Sequence, residues 1–539
     1  MAAPLQSVSL LSPGFLGLNT QDAKVGLDSG YATRANNCII DQFGRLGSRQ
    51  GYSLLTTDRG TLTANAYIES LFEFTDNTGS TEILSAGDGK LFNGTTTLVP
   101  QSVKAADQST DVSVTFTGNR WQFCSLPKGS GAAAVTYAFA AQNGNELLVR
   151  RRISDTGAYI FQKVGTSGHG TAPTGISSFD PDCAISAYGR IWTAGVSVNK
   201  HTLFFSDLLD PTNFTTGSAG VLDISSVVGN KDEIIGLANH NGFLVIFCKN
   251  NIIIYQNAGD PPNISLVDTI VGVGCVSRDS IQATGTDLIF LSQSGIRSLR
   301  RTVQEKSLPM RELSLNIRDD VVDYLALEPN LNAIKASYFE REAFYILTFP
   351  SSKLMIYVDL RTELPNGSAR ITTWSIDNGD VFKTYLATSD RKLLVGVPNG
   401  IGEYTGNKDN QKSYELAYKS PFSDVGGGVV KKFLKKAKLL VIGSGTQDFV
   451  FGYGYDYTLN PRTIVLARDL GTGDFTKFGT STALYAVSRY SSVGIGVQEI
   501  KVPLGGSGET FAFTINATID DDAVSVQKID LFLKTGKTS

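Results

Sequence analysis

The chain has 539 residues, enough to bury a large core or several, with 41% apolar and only 18% charged residues, 55 glycines, 29 Phe and 20 Tyr. Low charge with abundant Gly and aromatics predicts a β-rich globular protein. The net charge of −3 supplies no global basic field and argues against a sequence-reading DNA protein, although a chain that merely lets nucleic acid pass needs no such field.

Cys38, Cys124, Cys183, Cys248 and Cys275 are scattered, odd in number and free of any CxxC pair. Cys124, Cys183 and Cys248 sit inside apolar strand-like runs and read as core thiols, and the set as a whole does not read as disulfides. The first residues carry no basic region followed by an apolar stretch of signal-peptide length, and no segment approaches 18 apolar residues. The expectation is a soluble protein made in a cytosol.

Residues 1–60 precede the repeating part of the chain. Residues 13–22 read as extended, with Gly and Asn breaking any helix. Residues 34–41 can pair with residues 45–52 across the turn Asp41-Gln-Phe-Gly44, chemistry that any β-hairpin could show. The stretch GFLGLNTQD…ATRANNCIIDQFGRLGSRQGY also resembles the opening of the tail nozzle proteins, the tail tubular protein B family, of short-tailed bacteriophages (podoviruses). Gly17, Leu18, Asn19 and Thr20, then Asn37, Ile39, Asp41, Gly44, Leu46, Arg49 and Gly51, stand at the positions of that family's pattern.

From about residue 61 to residue 411 one pattern recurs. It is clearest in residues 233–255 and 280–299, each of which is three short β-branched or apolar runs cut by Gly/Asn/Ser/Asp turns. The middle run is apolar throughout, as in a strand buried on both faces. One tight turn marks each unit: Asp88-Gly89, Asn143-Gly144, Tyr188-Gly189, Asn241-Gly242, Ser294-Gly295, Ser351-Ser352 and Asn399-Gly400. Their spacings are 55, 45, 53, 53, 57 and 48 residues. A period of about 50 residues built from three or four strands is that of a propeller blade. The fold predicted is all-β, a β-propeller of six or seven blades. The competing reading is that any all-β chain has turns at irregular intervals.

Within this part, the run Arg150-Arg151-Arg152 reads as a solvated strand end, and Asp210 is placed to close an Asx turn. Residues 190–192, 203–207 and 210–214 are similar to nozzle-type propellers, as are 336–338, 341–347 and 357–359. Between Leu313 and Asn330 the period changes. Ile317, Val321, Val322 and Leu325 predict one short helix near 314–326, capped by Ser314 or Asn316, with Asp319 and Asp320 in its first turn.

After residue 412 the blade spacing stops. Residues 430–442, 449–457, 463–466, 487–497, 498–502, 511–519 and 525–533 read as strands of a C-terminal antiparallel sandwich-like module, residues 412–539. Lys431, Lys432, Lys435, Lys436 and Lys438 form the densest basic cluster of the chain. As a strand their lysines fall on both faces; as a helix, Val429, Phe433, Leu434 and Ala437 make one apolar face. The cluster reads as a solvated, edge-protecting run or as a contact for DNA or an adjacent subunit.

Nothing in the sequence forms a catalytic, cofactor or metal signature. His169, His201 and His240 are far apart, and GxSxG, P-loop, HExxH and dinucleotide fingerprints are missing. Residues 85–92 loosely resemble one Asp box of sialidase propellers but lack the full pattern. Asp520-Asp521-Asp522 could hold a cation but suits an exposed turn. Two carboxylates suffice for a glycosidase, so a carbohydrate-active propeller, hydrolase or lectin, stays as the alternative function.

The resemblance implies a structural virion protein rather than an enzyme. Such subunits form a hexameric ring around the DNA exit channel of the tail, below an adaptor ring and near tail fibres or spikes. They are assembled in the host cytoplasm and take part in genome retention and ejection. Viral double-stranded DNA would pass without sequence readout, past a wall of low charge density that does not hold phosphates tightly.

Overall fold

The structure is a computed structural model that describes residues 6–9, 14–24, 27–40, 44–129, 135–153, 157–165, 168–228, 232–300, 312–376, 379–424, 430–443, 449–458, 462–466, 475–476, 489–490 and 496–538. Asp41 and most of the strand expected at 487–497 lie outside them.

Seven antiparallel sheets follow one another along the chain: residues 70–101, 122–163, 183–223, 234–271, 282–298, 335–374 and 385–404, here blades 1 to 7. Blade 2 carries two extra short strands, Val103–Lys104 and Asp111–Val112, on its outer edge. The first strand of each blade neighbours the first strand or leading turn of the next, and Tyr385–Ala387 of blade 7 returns to Ser70–Thr75 of blade 1. The ring is therefore closed.

Alternation along the strands explains why the middle runs are apolar on both sides. In blade 4, Leu244 and Ile253 pack toward Trp192 and Leu203 of blade 3, while Val245 and Ile254 pack toward Leu288 and Phe290 of blade 5. Every pair of neighbours encloses such a cluster, down to Leu394 and Ile401 against Ile68 and Phe92 between blades 7 and 1. Between blades 6 and 7 the cluster is aromatic: the Trp374 ring is stacked on Tyr357 at 4.7 Å and on Tyr404 at 5.6 Å.

Each of the seven turns read from the sequence falls in a different blade. They do not all mark the same hairpin, however. Tyr188-Gly189 and Asn241-Gly242 join the first and second strands of blades 3 and 4, whereas the other five join second and third strands. The change of hairpin shortens the third-blade interval to 45 residues.

The strands of residues 1–60 are shared out between the propeller and the C-terminal part. Tyr52–Leu54 is the outermost strand of blade 7, pairing Leu54 with Gly402 and Tyr52 with Tyr404. It hides an edge that the ring would otherwise expose. Arg34–Asn36 lies between Ala369–Trp374 of blade 6 and Tyr414–Lys419. Through it the sheet of blade 6 runs on into Phe511–Ile519, Phe449–Tyr455 and Arg462–Leu466. The hairpin Cys38–Ile40 with Leu46–Ser48 joins a second sheet with Val524–Thr538, Val430–Gly443 and Gly496–Pro503. The two sheets share one core, with Leu439, Val441 and Leu531 facing Phe451, Phe513 and Ile515, and this core is continuous with blades 5 and 6. The C-terminal part is thus a β-sandwich fused to the propeller.

Three local expectations are corrected. The helix runs Arg318–Leu327 after a 3-10 turn Leu315–Ile317, with Asp319 and Asp320 in its first turn. Its N-cap is Ile317, without a side-chain cap, rather than Ser314 or Asn316. Asn316 sits inside the preceding turn, and the Ser314 hydroxyl accepts the Ile296 N–H of blade 5 instead. Val322 is exposed. The arginine run is not solvated. Arg150 is buried against the rings of Phe74 and Tyr159 and bonds Glu82, and Arg152 meets Asp76 at 2.7 Å, so the run ties blade 2 to blade 1.

Candidate functional site: the axis cluster and the lysine face

Five ionic side chains gather at the leading ends of the inner strands. Arg120 precedes Gln122–Lys128 of blade 2, and Asp182 precedes Cys183–Ala187 of blade 3. Arg278 and Asp279 form a 3-10 turn ahead of Gln282–Ala283 of blade 5, and Lys335 opens Lys335–Phe339 of blade 6. Arg120 reaches Asp182 at 3.1 Å and Asp279 at 2.8 Å. Arg278 reaches Asp182 at 3.3 Å and Asp279 at 3.0 Å, and Lys335 reaches Asp279 at 2.7 Å. Arg278 also donates to the carbonyls of Asp182 and Arg120. Blade 4 separates blades 2 and 3 from blades 5 and 6 on one side, and blades 7 and 1 do so on the other. These bonds therefore cross the propeller axis.

The electrostatics follow from the count of three cations around two anions. Burial opposes the charge of both carboxyls. Arg278 and Arg120 nevertheless hold Asp182 below the usual carboxylate range, and Arg278, Lys335 and Arg120 hold Asp279 well below it. Arg278 is buried too, yet Asp279 and Asp182 push its pKa up. Cleavage of a glycosidic bond needs a carboxyl whose pKa is raised so that it can protonate the leaving group. This pair is driven the other way. What the cluster does chemically is tie four blades together. The sequence carried its signal only weakly, as charged residues at or up to four positions before the start of four inner strands.

The lysine cluster lies on a strand, Val430–Gly443. A bulge between Leu434 and Lys436 shifts the alternation by one, so Lys435 and Lys436 both avoid the core and Ala437, Leu439 and Val441 enter it. The five lysines do not form one patch. Lys432 is buried, donates to the Glu509 carbonyl at 2.7 Å and has its pKa lowered by that burial. Lys431, Lys435, Lys436 and Lys438 face outward. Lys436 and Lys438 flank the Phe532 ring at 4.5 and 6.0 Å, and Lys438 meets Glu499 at 2.9 Å. Lys501 and Lys528 stand on neighbouring strands of the same sheet.

The remaining sequence candidates separate. Asp520 and Asp521 share Lys408 as their cation, at 2.9 and 3.1 Å. Asp210 accepts from the Thr212 N–H at 3.3 Å, closing the expected turn, and also meets Lys128 at 2.9 Å. His201 Nδ1 lies 2.6 Å from the Asp232 carbonyl, and burial beside Arg151 and Lys128 pushes His169 down to about 4. The structure does not bring the three histidines together into a ligand set; among the described residues no three His, Cys, Asp or Glu side chains could hold a metal ion. A polar cleft of about 580 Å³ between blades 5 and 6 is lined by three carboxylates, Asp287, Asp359 and Glu363. Asp287 and Asp359 are engaged internally, by Leu288 and Arg300 N–H groups and by Arg361.

No protein-family model matches the chain, and no curated protein matches it. Solved structures match with low scores. PorZ, a surface component of the type-IX secretion system of Porphyromonas gingivalis, is 10% identical, with 87% of this chain and 59% of that chain covered and a TM-score of 0.36. The extracellular domain of a hybrid two-component system of B. thetaiotaomicron is 9% identical, with 80% and 58% covered and a TM-score of 0.31. A glycoside hydrolase family 43 arabinoxylan arabinofuranohydrolase from Bacillus subtilis is 9% identical, with 90% and 95% covered and a TM-score of 0.26. The chain spans under three fifths of the length of the two-component-system domain. The fold assignment rests on the strand pairing above.

Proposed function

We propose that the chain is a structural subunit of a short-tailed phage tail, the nozzle below the adaptor ring. Copies of it, six by the resemblance, surround the DNA exit channel and serve genome retention and ejection. The observation that carries this reading is what the residues of the nozzle-like pattern do. Gly17 has φ +92°, and a Cβ there would lie 2.8 Å from the Ile371 carbonyl oxygen of blade 6. Asn37 has φ +54° and bonds the Glu415 carbonyl, while Arg49 is buried in an ion pair with Asp409. The pattern thus records how the propeller is joined to the sandwich. Such joints fix the shape of one subunit, and the resemblance casts that subunit as a ring-former.

The axis cluster supports the same reading. Its ion pairs span the propeller axis at the leading ends of the inner strands, so in this reading the conduit is formed between subunits and not through one ring of blades. For the carbohydrate-active alternative, the two axis carboxylates are held ionised and lack the raised acid that hydrolysis requires. In this reading the chain acts mechanically in the virion tail.

Electron microscopy of the purified protein, alone and with the other tail proteins, tests this. A six-fold ring or tube is the expected particle. Lone compact particles under both conditions would overturn the reading. So would release of reducing sugar from a host polysaccharide that is abolished by one Asp→Asn or Glu→Gln change.

A further inference from the structure

Two exposed faces of the chain are opposite in charge and alike in carrying apolar side chains. One is the outer face of the Val430–Gly443 strand, with Lys431, Lys435, Lys436 and Lys438 around Phe433 and Phe532. The other is the outer face of the helix Arg318–Leu327, where Asp319 and Asp323 are exposed beside Asp320, together with Val322, Leu327 and the following Leu331. Arg318 is the one cation on that helix, and its half-exposed side chain lies 3.8 Å from the buried Glu312.

Within the protomer no ion pair joins the two faces among the described residues. Lys436 and Lys438 lie against Phe532 and Glu499, and among the described residues Asp319 and Asp320 accept from Gln21 and Thr20. Leu327 is 66% exposed and Phe433 39%, more apolar area than a solvated charge run requires. Charged side chains ringing apolar ones are the make-up of an interface with a polar rim.

We propose that these faces are the two halves of one contact between copies of this chain: the acidic helix of one protomer seats on the lysine strand of the next. This rests on the assembly of copies proposed above and names its interface. Because the halves are different surfaces, the contact is heterologous and repeats head to tail, closing into a ring when the rotation allows. Opposite charges set register and speed encounter, and the apolar residues supply the buried centre.

Charge reversal tests it. Lys431→Glu/Lys435→Glu/Lys436→Glu makes the strand face acidic like the helix, and Asp319→Lys/Asp323→Lys makes both faces basic. Each variant is expected to weaken self-association at least about tenfold in sedimentation velocity, with wild-type association weakening as salt rises. Mixed one to one, the two variants present acid to base at every contact and should assemble again as alternating rings, which need an even number of subunits. Recovery on mixing excludes misfolding as the cause of either loss. Three outcomes overturn the proposal: a wild-type chain that does not self-associate, a charge-reversed variant that assembles alone, or a mixture that stays dissociated. If wild-type rings form and the variants form them equally, the nozzle reading stands and this interface falls. Loss of binding to a random-sequence DNA duplex by Lys431→Glu/Lys435→Glu/Lys436→Glu, with assembly intact, would assign the lysine face to DNA and also overturn it.

Discussion

Arg49 and Asp409 form a two-pronged ion pair with both side chains wholly buried, Nη1 to Oδ1 at 2.8 Å and Nη2 to Oδ2 at 2.6 Å. The same guanidinium donates to Asn37 Oδ1 and to the carbonyls of Gln50 and Ser375, and lies 4.0 Å from the Tyr414 ring centre. Five N–H groups in a rigid fork meet five acceptor directions. The pair fastens the approach to the strand that closes blade 7 to the segment that leaves it for the sandwich.

Arg49→Met should therefore cost about 3–5 kcal/mol, since it leaves a buried carboxylate alone. Arg49→Lys keeps the charge but loses the fork, and should recover only part of that. Urea unfolding measures both. A double change, Arg49→Met with Asp409→Leu, should cost less than the two single changes added together; simple additivity would show that the partners do not act as a pair.

The axis cluster sets an acid limit. Asp182 and Asp279 are held below their unfolded values, so the unfolded chain takes up protons first as pH falls. Their stabilisation is full above the unfolded pKa, about 3.9, and is lost as pH drops through the folded values. Calorimetry should find melting temperature insensitive to this cluster from about pH 7 to 5 and falling below about pH 4. Asp279→Asn should lower stability at neutral pH and flatten that acid slope. An unaltered slope in the variant would remove the cluster from the account.

Gly51 has a Cβ site 1.9 Å from the Lys408 carbonyl oxygen, which is backbone and cannot swing away. Gly51→Ala must push the closing strand off blade 7. A loss of about 1–3 kcal/mol or more is expected, with cleavage near residues 52–54 in limited proteolysis as the local sign. Wild-type resistance in the variant would mean that the join relaxes freely.

All five cysteines are free and buried. Burial pushes Cys124 and Cys183 up to about 12 and Cys275 up to about 11. With so little thiolate, none should react with a disulfide reagent at pH 8 in the folded protein, and all five should react in denaturant. Fast labelling of one thiol under native conditions would expose a local opening.

The blades were legible because turn chemistry is local. Asn241-Gly242 needs positive φ at both residues, 49° and 81°, and says so in its own two letters. Which hairpin a turn closes is not local, and so the repeat was read out of phase in blades 3 and 4. The lysine strand was ambiguous because its bulge breaks the period of two that identifies a strand. Arg150 looked solvated because its partners Glu82 and Phe74 belong to another blade. The axis cluster is harder still: its five residues converge only after the ring has closed.

The placement of Arg34–Asn36 and Leu46–Ser48 has a consequence for how the chain is made. Thr372 bonds the Cys38 carbonyl across 334 positions, and Val526 pairs with Leu46 near the opposite terminus. At about 5–20 residues per second, Leu46 waits roughly 25–100 s after synthesis for its partner strand. During that interval the growing chain carries unpaired strands at its front and a succession of half-enclosed blades behind them. Contacts this distant in sequence fold slowly. Emergence of Val524–Thr538 from the ribosome is the event that lets Leu46–Ser48 settle into its sheet.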